Sequence, residues 1–198
     1  MVTPLRDTWV APNHLTTVRL IVGLAAAAAF VPGRYGWSNV AALLLVLSNF
    51  LDHTDGELAR ISGKGSRFGH LYDLGSDAVV TIMVFIAIGI GIKDAPGEIW
   101  DFSTLHGAVT GGAVASIFYL RMRIEESAGK SATRQGSLAG FETEDALYLL
   151  PLITLFDGLE AMLVAASIIA PLYAVWTVVE YRRVMRKLQP LGSGEVAQ

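Results

Sequence analysis

The chain has 198 residues, 53% of them hydrophobic and 17% charged, with 20 glycines and a mean hydropathy of +0.48. This balance excludes most soluble classes and points to a membrane protein; at about 20 apolar residues per crossing there is room for at most about six to eight spans, and none for a large soluble domain beside them. The absence of cysteine excludes a disulfide framework, a thiolate zinc site and a cysteine nucleophile, and the net charge of -3 says less than where the charges fall.

Residues 1–14 (MVTPLRDTWVAPNH) are too polar and too interrupted for a signal peptide. They read as a short amphipathic helix at the membrane surface with Trp9 as its anchor. Apolar stretches follow at about 15–31, 39–61, 70–92, 103–123, 144–156 and 158–181. They are punctuated by Pro32-Gly33, the Ser62-Gly63-Lys64-Gly65-Ser66 run, Pro96-Gly97, the polar 124–142 segment and Asp157-Gly158. The fifth stretch is short and holds Pro151, which suits a tilted or kinked helix. The expected architecture is an all-α integral membrane protein of six transmembrane helices in one domain, 15–188, with the surface segment before it and a disordered tail, 189–198, after it.

Orientation follows from the basic residues. With six spans, all but two of the 15 lysines and arginines fall on one side, and only Arg34 and Lys93 on the other. Basic loops face the cytoplasm, so both termini are expected there, in a cell-membrane protein. The opposite loops carry Asp94, Glu98, Asp101, Asp157 and Glu160 instead. Arg182, Arg183, Arg186 and Lys187 mark the inner face and attract anionic lipid.

The chemistry concentrates where the second stretch, apolar from Val40 to Leu51, runs without a loop signal into LDHTDGELAR, and the third begins FGHLYDLGSD. Four aspartates, Asp52, Asp55, Asp73 and Asp77, thereby fall on the cytoplasmic halves of two consecutive helices. An ionisable residue at the bilayer centre costs about 2.5 to 3.5 kcal/mol, less near the surface, so the four need compensation. Spacings of three and four put each pair on one helical face, and two antiparallel helices can turn both pairs inward. Carboxylates without His or Cys suit hard cations, and four of them can hold two Mg2+ or Mn2+ ions about 3.5 to 4 Å apart, an arrangement for phosphoryl transfer. Gly56 and Ala59 leave room for a ligand beside Asp52 and Asp55, Arg60 is placed to meet phosphate oxygens, and Gly63, Gly65, Ser66 and Gly69 supply flexible backbone and a hydroxyl. Taken alone, the aspartates also fit a solvated helical hairpin or a divalent-cation pathway, although the outer halves of the helices hold no second ionisable layer. His53 and His70 are candidates for packing or for supporting the ligands, Glu57 for a solvated residue. Gly107, Gly111 and Ala115 form a ridge suited to close helix packing or to a dimer contact.

Residues 52–77 resemble the signature of the CDP-alcohol phosphotransferase family: Asp, two residues, Asp-Gly, two residues, Ala-Arg, eight residues, Gly, three residues, Asp, three residues, Asp. Chance agreement at all eight specified positions has a probability of roughly 1 in 10 million or less. The resemblance extends to size, N-terminal amphipathic helix and six-span plan. It implies metal-dependent phospholipid synthesis, in which an alcohol hydroxyl attacks the β-phosphorus of a CDP-linked donor and releases CMP. It further implies Asp52, Asp55, Asp73 and Asp77 as ligands of two divalent cations, Mg2+ or Mn2+, with Asp77 also the general base. Gly56, Ala59, Arg60, Ser66 and Gly69 would surround the CDP group, and the APNHLT stretch adds Asn13 and Thr16. The partners implied are a CDP-linked lipid, an alcohol acceptor, membrane lipids and a second copy of the chain in a homodimer, with no nucleic acid.

The acceptor is open. Arg121, Arg123 and Arg134, with Lys130, could hold a phosphorylated alcohol, yet Glu142, Glu144 and Asp145 stand where relatives that use inositol phosphate carry arginines. The Leu-Gly-Ser between Asp73 and Asp77 lacks the Pro and Lys associated with glycerophosphate users. The leading expectation is transfer of a phosphatidyl group from CDP-diacylglycerol to a small polar alcohol. Its rivals are transfer from a CDP-linked small alcohol to a lipid hydroxyl and, in another class, a non-catalytic membrane scaffold or cation carrier.

Overall fold

The computed structural model describes residues 8–93, 102–128 and 148–188, apart from the side chains of Arg67 and Glu125. Residues 1–7, the Pro96-Gly97 turn, Arg134, the acidic Glu142, Glu144 and Asp145, and the expected tail lie outside them. All regular structure within them is helical: α1 (Pro12–Phe30), α2 (Tyr35–Ser62), α3 (Arg67–Gly91), α4 (Ser103–Ala128), α5 (Leu150–Leu155) and α6 (Leu159–Leu188).

Local chemistry sets the limits. Pro12 opens α1, where its missing N–H is no loss, and the Nδ1 of His14 accepts the backbone N–H of Ala11, a donor at the helix entrance. Residues 12–14 therefore belong to the first long helix rather than to a separate surface segment. Ser66 caps α3 by accepting the Gly69 N–H at 2.9 Å. Gly63 ends α2 at φ 65, in the left-handed region that glycine enters without steric cost. α5 ends in a Schellman turn, the Gly158 N–H donating to the Ile153 carbonyl and the Asp157 N–H to that of Thr154. The left-handed residue there is Asp157, φ 55, rather than the glycine that follows it.

Pro12–Phe30, Phe68–Gly91 and Leu159–Leu188 are long and apolar enough to cross a membrane. α2 and α4, of 28 and 26 residues, also reach about 40 Å at 1.5 Å per residue, with polar residues at their site ends. The fifth expected stretch is described only from residue 148, and its helix, α5, has six residues. It runs antiparallel along α2: the Tyr148 hydroxyl lies 3.5 Å from His53 Nδ1, and the Leu155 carbonyl accepts from the Tyr35 hydroxyl at 3.1 Å. The outward faces are apolar. Leu172, Val175 and Trp176 on α6 are each more than 60% exposed, a surface that hydrocarbon solvates and water does not.

α1 packs on both α2 and α3, α3 also on α4, α4 on α6, and α5 on α2. One stripe of α1, Thr16, Arg19, Gly23, Ala26 and Phe30, is buried at the helical spacing, while Val18 and Ile21 face outward. The apolar half of the core joins Phe30, Leu45, Val84, Ile88 and Leu163 from four helices. Glycines set the helix separations. A Cβ at Gly107 would stand 2.2 Å from the Phe85 carbonyl oxygen and one at Gly111 2.8 Å from Ile82 Cα, so the glycines of the α4 ridge seat α4 on α3 within the chain. Ser103 Oγ donates to the Gly89 carbonyl at 2.6 Å where the two helices meet at their far end.

Candidate active site

The α2–α3 hairpin brings Asp52, Asp55, Asp73 and Asp77 together, and the packing of α1 closes the site from the third side. Ligand oxygens of Asp52, Asp55 and Asp73 lie within 4.8 Å of one another. Oxygens around a Mg2+ at about 2.1 Å are at most about 4.2 Å apart, a span close to that of these three. The donor set, carboxylate oxygen alone, is that of a hard cation, and a group of three that could hold a metal ion is present among the described residues.

The structure adds a residue that the sequence places only in the charge tally. Arg19, two turns into α1, runs into the middle of the aspartates. Its Nη1 meets Asp52 Oδ1 at 2.7 Å and also Asp77 Oδ1; its Nη2 meets Asp73 Oδ1 at 2.6 Å and the Asp73 carbonyl at 2.8 Å. Its Nε lies 3.7 Å from Asp55 Oδ2. The side chains of Arg19 and Asp55 are each 5% exposed and form the floor; Asp73 and Asp77, at 35% and 40%, form an open rim. The signal for Arg19 in the sequence is a lone cation inside an apolar helix, three residues after Thr16 on the same face.

Thr16 is buried, and its hydroxyl donates to Asp55 Oδ2 at 2.8 Å, so it fixes a carboxylate of the floor. Ser48 Oγ donates to the Arg19 carbonyl at 2.9 Å and ties α2 to α1 at the same level. Asn13 sits at the mouth: a Cβ at Gly69 would be 2.8 Å from its Oδ1, which makes glycine the residue that leaves the Asn13 amide its place. Gly56 is exposed, and no described atom lies within 4 Å of where its Cβ would be. Ala59 is half-buried and Arg60 exposed one turn on, leaving open surface beside Asp52 and Asp55. The Ser66 hydroxyl oxygen is engaged in capping α3.

The other candidates divide. Arg123 lines a pocket of about 610 Å³ between the α2–α3 turn and α4, with Ser66, His70, Tyr119 and Glu126, and donates to Glu126 at 3.2 Å. His70 Nε2 faces the same Glu126 at 3.6 Å. Arg121 turns instead to α6, its guanidinium 5.7 Å over the Tyr173 ring. Glu57 is exposed and outside the carboxylate group.

Comparison with known proteins gives this arrangement its context. The family model for CDP-alcohol phosphatidyltransferase matches residues 9–181. The chain belongs to the CDP-alcohol phosphatidyltransferase family. This family consists of transferases of phosphorus-containing groups, and all the site residues described above lie in the matched region. Among curated relatives, cholinephosphotransferase 1 of Danio rerio is 31% identical over 162 residues, 76% of this chain and 40% of its own length. The bifunctional IPC transferase and DIPP synthase of Aquifex aeolicus is 26% identical over 173 residues, 84% of this chain and 38% of its own. Archaetidylinositol phosphate synthase of Pyrococcus horikoshii is 33% identical over 103 residues, 50% of each chain. The chain thus spans about half or less of the length of these relatives.

Proposed function

We propose that the protein is a membrane phospholipid-synthesis enzyme that transfers a phosphatidyl group from CDP-diacylglycerol to the hydroxyl of a small polar alcohol and releases CMP. The observation that carries the reading is the convergence of Asp52, Asp55, Asp73 and Asp77 around one partly open, cation-seeking bowl, within a chain of this family. Two divalent cations, Mg2+ or Mn2+, would be held by the four aspartates, where they would supply charge neutralisation for the diphosphate and for the transition state. The residues do the rest. Arg60 and the open surface at Gly56 and Ala59 receive the CDP group, with Asn13, Ser66 and Gly69 at the mouth and Thr16 beneath. Asp77, on the exposed rim, takes the proton of the acceptor hydroxyl as its oxygen bonds to the β-phosphorus and the bond from that phosphorus to the CMP oxygen breaks. The pocket at Arg123, between the α2–α3 turn and α4, supports an acceptor site. Six crossings with both termini cytoplasmic are supported by the segregation of lysines and arginines along the sequence.

The likeness to a cholinephosphotransferase favours a second reading of the same chemistry, in which the donor is a CDP-linked small alcohol and the acceptor a lipid hydroxyl. CMP release by the purified full chain in detergent distinguishes the two. With Mn2+ or Mg2+, each donor is offered with each acceptor class, and Asp77→Asn serves as control. Acceptor-dependent release that the variant loses, while eluting as wild type on size exclusion, is the expected result. No release from any donor would overturn both readings and favour a scaffold or cation carrier.

A further inference from the structure

Within this metal-dependent reading, Arg19 has a role of its own. Its guanidinium contacts oxygens of residues that would hold a cation, bridging Asp52 and Asp77 through Nη1 and reaching Asp73 through Nη2. Two features separate it from a permanent structural ion pair. The first is charge: among the described residues one guanidinium faces four carboxylates, an excess of three formal negative charges on a partly open site. The second is an orphan donor. The Nε–H is buried and has no acceptor within hydrogen-bond distance among the described residues; the carboxylate oxygen it faces, Asp55 Oδ2, stands 3.7 Å away. A buried guanidinium evolved to stay would have that donor satisfied.

We propose that Arg19 is a placeholder cation. In the metal-free protein it cross-links α2 to α3 from α1 and keeps like-charged carboxylates close enough to share an ion; it yields part of those oxygens when divalent cations bind. Arg19 therefore opposes metal binding while it stabilises the form that awaits metal.

The test uses the full-length protein in detergent, with Mn2+ binding followed by calorimetry and thermal unfolding followed by tryptophan fluorescence, in EDTA and in saturating Mn2+. Arg19→Gln should bind Mn2+ at least tenfold more tightly than wild type, and should melt several degrees lower in EDTA with the deficit closing in Mn2+. Arg19→Lys keeps the charge but is shorter and lacks the planar fork whose two Nη atoms meet the carboxylates of both helices; it should bind Mn2+ as wild type does and show a smaller deficit in EDTA that Mn2+ also closes. Unchanged or weaker Mn2+ binding by Arg19→Gln would overturn the proposal, as would a deficit of the same size with and without Mn2+, the mark of a merely structural role. If Arg19→Gln does not fold in either condition, the Arg19→Lys melts decide by the same criterion. Failure of the wild-type protein to bind Mn2+ or Mg2+ is a distinct result that removes the metal-dependent reading and this inference with it.

Discussion

Alanine at Gly107 and at Gly112 should have opposite effects on stability, although the two positions lie little more than one turn apart on α4. At Gly107 the new Cβ would be 2.2 Å from the Phe85 carbonyl oxygen and 2.9 Å from its carbon. Both are backbone atoms, so no rotamer change relieves the overlap, and α4 must move about 1 Å away from α3, an overpacking strain at the upper end of the usual range, about 3 kcal/mol. The move also opens the contact at Gly111, where α4 lies against Ile82. Helix propensity returns up to about 1 kcal/mol to any glycine-to-alanine change, leaving a net loss of about 2 kcal/mol at Gly107. At Gly112 no described atom lies within 4 Å of the added Cβ, and the propensity gain stands alone. At about 2 to 4 °C per kcal/mol for a chain of this size, the two variants should melt about 6 °C or more apart, on opposite sides of wild type. Tryptophan fluorescence melts of the three proteins in one detergent measure this directly. Equal melting temperatures for the two variants would refute the close α3–α4 approach and the intrachain placing of the glycine ridge.

Thr16→Val removes the hydroxyl that holds Asp55 while conserving shape; a hydrogen bond to a charged group is worth about 1.5 to 3 kcal/mol, so apparent Mn2+ affinity should fall roughly tenfold or more, and Thr16→Ser should restore it. An Mn2+ titration of CMP release identical to wild type would count against the positioning of Asp55 by Thr16. Gly33→Ala combines a left-handed φ of 60 with a Cβ placed 1.9 Å from the Gly91 carbonyl oxygen, and should yield aggregated protein on size exclusion; a monodisperse, wild-type elution would show that the α1–α2 turn does not meet α3 as described. Asp157→Gly places the preferred residue at the left-handed position of the α5 Schellman turn and should raise stability by up to about 1 kcal/mol, seen as a melt a few degrees higher; a lower melting temperature would mean that the aspartate side chain contributes more than its backbone strain costs.

Much of this protein is written in local pattern. The apolar runs and their Gly and Pro punctuation locate the four long helices described before residue 130 and the last one to within a few residues at most ends, because helix limits depend on residues close in the chain. The last helix runs seven residues past its apolar stretch, to Leu188, since a basic amphipathic turn can continue a helix after hydrophobicity stops. The 3.6-residue period puts Asp52 with Asp55 and Asp73 with Asp77, and a short hairpin is enough to face the pairs together. That is why a single unbroken stretch, residues 52–77, already outlines the carboxylate site.

What the third side of the site contains could come only from tertiary structure. Arg19 lies 33 residues before Asp52 and 58 before Asp77, and Thr16 lies 39 before Asp55; no local period links them. Which face of α1 turns inward is decided by how closely α1 can approach α2 and α3, which Gly23 permits against Val80 and Ser48. The same holds for the α4 glycines, whose choice between a neighbour in the chain and a second copy depends on where α3 stands, and for Arg121, drawn to Tyr173 on α6 while Arg123, two residues later, opens on the pocket. The sequence alone determines that four negative charges must be compensated at the inner end of two helices. The packing of a third helix determines that the first cation to meet them is the protein's own.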